Sequence, residues 1–337
     1  MKPTDFAIRL AAFFLDYLPA QRDVSPNTVR AYRDTFRLLV RFCRDVRGWV
    51  PERLRTEQID PQLVLDFLTH LEADRHCGAR TRNHRLAALH TFFRYLQTEE
   101  PERLEQCQRI RAIPFQRCPR AVVAYLPAED LAAILAQPDR GTRKGRRDVV
   151  LLSLLYDTGA RVQEIIDLTV GDVRLDSPAQ VTLHGKGRKT RAVPLMSSTV
   201  RLLRTYWQEH GLDQVHRKEE PLFKNRDGSR LSRSGVRYIL QTYVAEARRT
   251  RPNLRPRVSP HTLRHTKAMH LLECGNSLVV IRDFLGHSDI GTTEVYLRAN
   301  PKMQQEALDK LEPDGGITPI MPSWKSDKGL LEWLTSL

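Results

Sequence analysis

The chain has 337 residues, 41% of them hydrophobic, with 54 Lys and Arg against 40 Asp and Glu, a net charge of +14. That length predicts roughly two domains of about 150 residues each, and the positive balance favours a polyanion such as nucleic acid over a neutral or acidic partner. Five irregularly spaced cysteines, an opening apolar run (LAAFFL) shorter than a signal-peptide core, and no stretch near the roughly 20 apolar residues of a membrane span exclude a zinc finger, a disulfide framework and a membrane partner, so a cytoplasmic chain is expected.

From residue 3 to about 112 the pattern is helix after helix. SPNTVRAYRDTFRLLVRFCRDV opens with Ser25, a good N-cap, and Pro26 at the first helical position. Val29, Tyr32, Phe36, Leu39 and Val40 then recur at helical spacing. DPQLVLDFLTHLEAD and GARTRNHRLAALHTFFRYLQT are further amphipathic segments. From Cys77 to Thr98 the chain carries Arg80, Arg82, Arg85 and Arg94 and no carboxylate, which is costly unless an anion lies beside the helix. AIPFQRCPRAVVAYLP, with three prolines, breaks the pattern and reads as a linker. Helices are expected at 127–136 and 145–158. Three short β-rich runs follow, DVRLD, QVTLHG and TRAVPL. Helical patterns return at 197–210, 232–250, 260–274, 277–285, 290–298 and 301–311. A polar stretch, 313–328, leads to GLLEWLTSL, where Leu330, Leu331, Trp333, Leu334 and Leu337 share one side of a short helix. The expected fold class is mainly α: an all-helical N-terminal domain (1–112), a linker (113–126), an α+β catalytic domain with a small antiparallel sheet (127–312), and a tail (313–337).

Four boxes could carry chemistry. In YDTGARVQEIIDLTV, Thr158-Gly159 stops one helix and restarts another, and Arg161 and Glu164 lie three apart, a spacing a surface salt bridge would also use. VTLHGKGRKTRAVPL reads as two strands joined at Gly185-Lys186-Gly187, with Lys186 at the tip; the pattern G-x-x-x-x-G-K-[ST] is absent, which rejects a Walker loop. SPHTLRHTKAMHLLECG places His261, Arg264 and His265 at a helix start capped by Ser259. His261 and His265 have zinc-ligand spacing, but no glutamate follows His261 and no third ligand is evident, so no metal is expected. LGHSDIGTTEVYLRAN places Tyr296 nine residues after His287. Together these residues share one chemistry. Arginine forks hold phosphate oxygens, lysine and histidine move protons, and a tyrosine hydroxyl can attack phosphorus to form a covalent ester. No acidic cluster calls for magnesium. The reading is metal-free phosphoryl transfer without a cofactor.

The order Arg161, Lys186, His261-x-x-Arg264, His287, Tyr296 resembles the tyrosine recombinase (phage integrase) family. TGARVQEIIDL, HGKGRKTR, HTLRHTKAMHLL and LGHSDIGTTEVY resemble its signatures, and SPNTVRAY and RTRNHRLAALHTFFRYL resemble its SAM-like core-binding domain, so the likeness spans about residues 5–312. The resemblance implies a site-specific DNA recombinase whose Tyr296 attacks the scissile phosphate, giving a 3′-phosphotyrosine and a free 5′-hydroxyl. It implies that Arg161 and Arg264 hold the non-bridging oxygens, that His261 accepts or relays the tyrosine proton, and that Lys186 protonates the leaving oxygen. It implies further that His287 hydrogen-bonds the phosphate and Glu164 supports its neighbours. Lys267 departs from the family's frequent aromatic at that position.

The resemblance also implies that the two domains clamp double-stranded DNA, with four protomers in a synaptic tetramer and a C-terminal segment docked on the neighbouring protomer. DNA contacts are expected from Arg30 and Arg33, from Arg80, Arg82 and Arg85, and from Arg248 and Arg249 in RRTRPNLRPR. Two rival readings use related parts: a type IB topoisomerase, and a DNA-binding regulator that has lost catalysis. The wording of HTLRH and LGH disfavours the first, and the complete six-residue set disfavours the second.

Overall fold

The computed structural model describes residues 2–118, 123–185, 189–287, 291 and 293–299. Lys186, the expected helix at 301–311 and the tail lie outside the described residues. The chain divides into two compact units, Met1–Ala121 and Val122–Leu337.

The first unit is helical: α1 (Asp5–Ala12), a wider π-helical stretch (Phe13–Gln21), α2 (Pro26–Asp45), α3 (Pro61–Ala73), α4 (Ala79–Glu99) and α5 (Leu104–Arg111). The expected caps form, since Ser25 Oγ accepts from Thr28 N–H and Asp60 Oδ1 from Leu63 N–H at 2.7 Å. The apolar faces meet around Phe92, whose ring lies 5.0 Å from Phe36, 5.2 Å from Phe13 and 5.9 Å from Phe6. Ile113 joins this core, and Asn83 pins residue 116 by a reciprocal pair of backbone bonds.

The second unit is built on α7 (Arg143–Asp157), which is buried along most of its length. Around it pack α6 (Ala128–Leu135), α8 (Val162–Asp167), α9 (Ser197–His210) and α10 (Arg233–Thr250). A three-stranded antiparallel sheet runs β1 (Val173–Arg174), β2 (Gln180–His184), β3 (Thr190–Pro194), with Val181 opposite Val193 and Leu183 opposite Arg191. The alternation of the pleat puts Val181, Leu183, Val193 and Arg191 on one, inward face. Next come α11 (Pro260–Glu273) and α12 (Leu278–Leu285), then a short 3-10 helix, Glu294–Ala299, within the 290–298 stretch where a helical pattern is expected. Its i→i+3 character is set by Tyr296 N–H donating to Thr293 O at 3.1 Å. Residues 123–126, read from sequence as linker, pack into this unit. Leu126 is fully buried and donates its N–H to Thr266 Oγ1, while Val123 and Tyr125 rest on the α11–α12 core.

Candidate active site

Arg161 is the residue immediately ahead of α8, not a member of its face. The turn before it is fixed by Thr158, whose hydroxyl donates to Leu154 O at 2.6 Å and accepts from Ala160 N–H. Gly159 takes φ +56°, and a Cβ there would lie 2.7 Å from Leu285 Cδ2, so only glycine lets this turn press against the end of α12. Glu164, 4% exposed, accepts from Arg161 N–H at 2.9 Å, from Arg161 Nη1 at 2.8 Å and from Arg191 Nη1 and Nη2 at 3.1 and 2.9 Å. Burial pushes this carboxyl up, but the arginine and backbone donors outweigh it and hold it below the usual range.

Arg264 reaches the same turn from α11. Its guanidinium, 4% exposed, donates to Gly159 O at 2.6 Å and to Leu285 O at 2.8 Å. Burial, then the positive charge of Arg161, lowers it to about 10, which leaves it charged at neutral pH. The two arginines therefore flank one glycine turn. Gly286, at φ +66°, follows α12 and lies against Arg191, and Arg191 Nε donates to Phe284 O at 3.1 Å. This sets His287, whose Nδ1 lies 3.0 Å from Thr293 Oγ1. Burial, then Arg264 and Arg161, push His287 down to about 4, so it is neutral at pH 7. His261 is exposed and makes no hydrogen bond among the described residues; partial desolvation and the same two arginines lower it as well.

Tyr296 is 1% exposed, packed against Ala268, Met269, Leu272, Ile281 and Leu285. Burial raises its hydroxyl above the ordinary value, and Arg264 opposes that shift. Its oxygen lies 2.9 Å from His265 Nδ1. The tyrosine is thus partnered by His265, where the sequence reading gave the proton to His261.

Arg191 escaped the sequence reading, and Lys267 was noted there only as a departure from the family. Arg191 grips Glu164 with both terminal nitrogens and touches the Gly286 turn; the one available signal was an arginine in phase with inward-facing Val193. Lys267, at 9% exposure, pairs with buried Asp157 at 3.5 Å and sits 5.0 Å over the Tyr156 ring, filling with a charge pair the place of an aromatic.

The expected DNA-contacting arginines divide. Arg30, Arg33, Arg80 and Arg249 are exposed. Arg248 is exposed too, but its Nε closes the loop after α10 on Leu254 O. Arg85 donates to Ala31 O and Thr35 Oγ1, tying α4 to α2. Arg82 is a correction: it is 7% exposed and paired with Glu72 of α3 at 3.3 Å, so its guanidinium is not free for a phosphate. The counter-charge missing from the α4 sequence comes from a neighbouring helix.

Residues 124–303 match the phage integrase family. The chain belongs to this family of tyrosine recombinases. Residues 12–100 match the N-terminal SAM-like domain of phage integrases. The y4rC protein of Sinorhizobium fredii, named as an integrase/recombinase, is 40% identical over 338 residues, covering 100% of this chain and 99% of the relative. Tyrosine recombinase XerC of Pelobacter propionicus is 30% identical over 311 residues, covering 90% and 95%. The same fold occurs in the Tn1549 transposon integrase in complex with transposon right-end DNA (TM-score 0.68, 14% identity, 90% of this chain and 99% of that one). It occurs also in the XerH recombinase bound to palindromic difH substrate (TM-score 0.67, 21% identity, 87% and 82%). Membership of the integrase family decides against the topoisomerase reading.

Proposed function

We propose that this recombinase cuts and rejoins double-stranded DNA at specific sites through Tyr296. The phenol oxygen attacks the scissile phosphorus, forming a 3′-phosphotyrosine bond as the 5′-oxygen leaves with a proton from Lys186. Arg161 and Arg264 hold the two non-bridging oxygens, His287 and His261 hydrogen-bond the phosphate, and Glu164 fixes Arg161. The observation that carries this reading is the pair of guanidiniums set on either side of one glycine turn, with Arg264 held by two carbonyls and no carboxylate. Such fixed cations stabilise developing phosphorane charge without reorganising, which is the work a metal does elsewhere.

The domain scheme follows the sequence reading, with a core-binding unit, a catalytic unit and a C-terminal segment that docks on another protomer. Four protomers on two duplexes form the synapse, in the cytoplasm, and the reaction serves integration, excision or resolution of a mobile element. The family names on the relatives and the transposon integrase fold support this range.

The test is covalent capture. A nicked duplex bearing the recombination site, incubated with protein in excess EDTA, should give a protein–DNA band that survives denaturing electrophoresis. Tyr296→Phe keeps the ring and removes only the nucleophile, so it should bind and give no band. A band that persists in Tyr296→Phe, or that needs magnesium, would overturn the reading.

A further inference from the structure

We propose that His265, the residue after the phosphate-binding Arg264, is the catalytic group that takes the proton from Tyr296. This rests on the reading of Tyr296 as nucleophile and adds the fate of its proton. Three observations point to it. His265 Nδ1 lies 2.9 Å from Tyr296 Oη, the only hydrogen bond that hydroxyl makes among the described residues. Tyr296 is 1% exposed, so in this conformation its hydroxyl is turned to His265 and not to solvent. His261, although beside the arginine pair, is exposed and makes no hydrogen bond among the described residues.

The electrostatics suit a base that the substrate switches on. Burial, then His261 and Arg264, lower the proton affinity of His265, which favours the neutral ring, and the tautomer with its proton on Nε2 leaves Nδ1 to accept from Tyr296. A DNA phosphate bound at Arg161 and Arg264 brings the opposite charge to the same place. It offsets the Arg264 part of that shift and so raises the basicity of His265 as the reaction begins. The step then balances: the Tyr296 O–H bond breaks and its proton passes to His265 Nδ1, the Oη–P bond forms, and the P–O5′ bond breaks with a proton from Lys186. On rejoining, the proton returns from His265 to Tyr296. His261 is left to the phosphate.

The experiment uses the full chain and a nicked duplex isolated by wild-type covalent capture from a randomised library. Adduct formation is timed for wild type, His265→Ala, His265→Gln and Tyr296→Phe, with DNA binding followed by gel shift. Glutamine can still accept the tyrosine hydrogen bond but cannot hold its proton. Both His265 variants should bind normally and form adduct about 10²–10⁴-fold more slowly, the range of a lost general base. Added imidazole should restore His265→Ala and leave Tyr296→Phe silent. In wild type the rate should fall in acid as His265 protonates, and His265→Gln should lack that limb, which decides the matter if His265→Ala does not fold. A wild-type rate in His265→Gln, a faster rate in either variant (a histidine that only restrains the nucleophile), or no rescue by imidazole would each overturn the proposal and leave Tyr296 as nucleophile. A wild-type adduct that survives in Tyr296→Phe would overturn both readings.

Discussion

Around the Gly159 turn positive charge is concentrated, and burial, then that charge and neighbouring rings, lowers the proton affinity of each histidine there. Burial and the arginine pair lower His261 and put His287 at about 4; burial, His261 and Arg264 lower His265. The consequence for stability has a definite sign. The unfolded chain takes up protons at these positions near the ordinary histidine value of 6.5, before the folded chain does. Stability should therefore be full above about pH 6.5 and fall as pH drops towards 4, with thermal unfolding midpoints in a pH series as the measure. His287→Asn, which cannot titrate, should flatten part of that slope; a midpoint insensitive to pH in this window would contradict the burial argument. Lys186 is testable by substitution. Lys186→Ala should bind DNA and cleave more slowly, since losing one donor at a developing charge typically costs about 10²–10³ in rate. A substrate with sulfur at the leaving 5′ position needs no proton and should recover most of the loss. If that substrate is cut no faster by the mutant than ordinary DNA, Lys186 is not the acid.

Between elements, the arginines do two kinds of work, and the helix sequences alone do not separate them. Along α4, Arg80 and Arg82 look equivalent as text, two basic residues two apart. Folding turns one outwards and seats the other against Glu72, at 3.3 Å. Arg80→Ala should weaken DNA binding and reduce its salt slope by about one while leaving stability unchanged. Arg82→Ala should do the reverse, costing on the order of 1 kcal/mol as the buried Arg82 side chain and its bridge to Glu72, which also accepts from Gln116, are lost, read from denaturant unfolding beside a salt series of gel shifts. Equal effects on binding would restore Arg82 to the DNA-facing set. The same contrast explains what was legible in the chain. Helices with a clear cap and period, such as α2 behind Ser25-Pro26 and α11 behind Ser259-Pro260, begin where local chemistry dictates. Motif order grouped Arg161, Arg264 and His287, and the fold brings these three close together. Arg191 and His265 were not so grouped, because their importance lies in partners 27 and 31 residues away in sequence, Glu164 and Tyr296. No local pattern carries such pairings. The short helix expected at 290–298 is 3-10 over Glu294–Ala299, a distinction the sequence left open because so few residues hold too little periodicity to tell 3-10 from α.

For the whole molecule, recombination asks for more than one active site, since two duplexes must be cut and exchanged together. The chain's surplus of positive charge supports binding of each duplex but says nothing of how protomers meet. The tail supplies a candidate connector. In GLLEWLTSL the apolar residues Leu330, Leu331, Trp333, Leu334 and Leu337 fall at helical spacing. A helix so short is marginal alone and needs an apolar surface to fold against. The stretch 313–328 before it carries prolines and glycines, a composition that would give the segment reach if it acts as a linker. Docking on a neighbouring protomer would convert DNA occupancy into assembly, because the surface is met only when a second protomer is brought close, at high effective concentration. Deleting residues 327–337 should then leave single-site binding close to wild type, as measured by gel shift on one site. It should reduce synaptic complexes and recombinant products on two-site substrates. Size-exclusion chromatography of the free protein and its thermal midpoint provide the control for folding. A truncated chain that assembles and recombines like wild type would show the segment has no role between protomers, and one that unfolds would show it packs on its own catalytic unit.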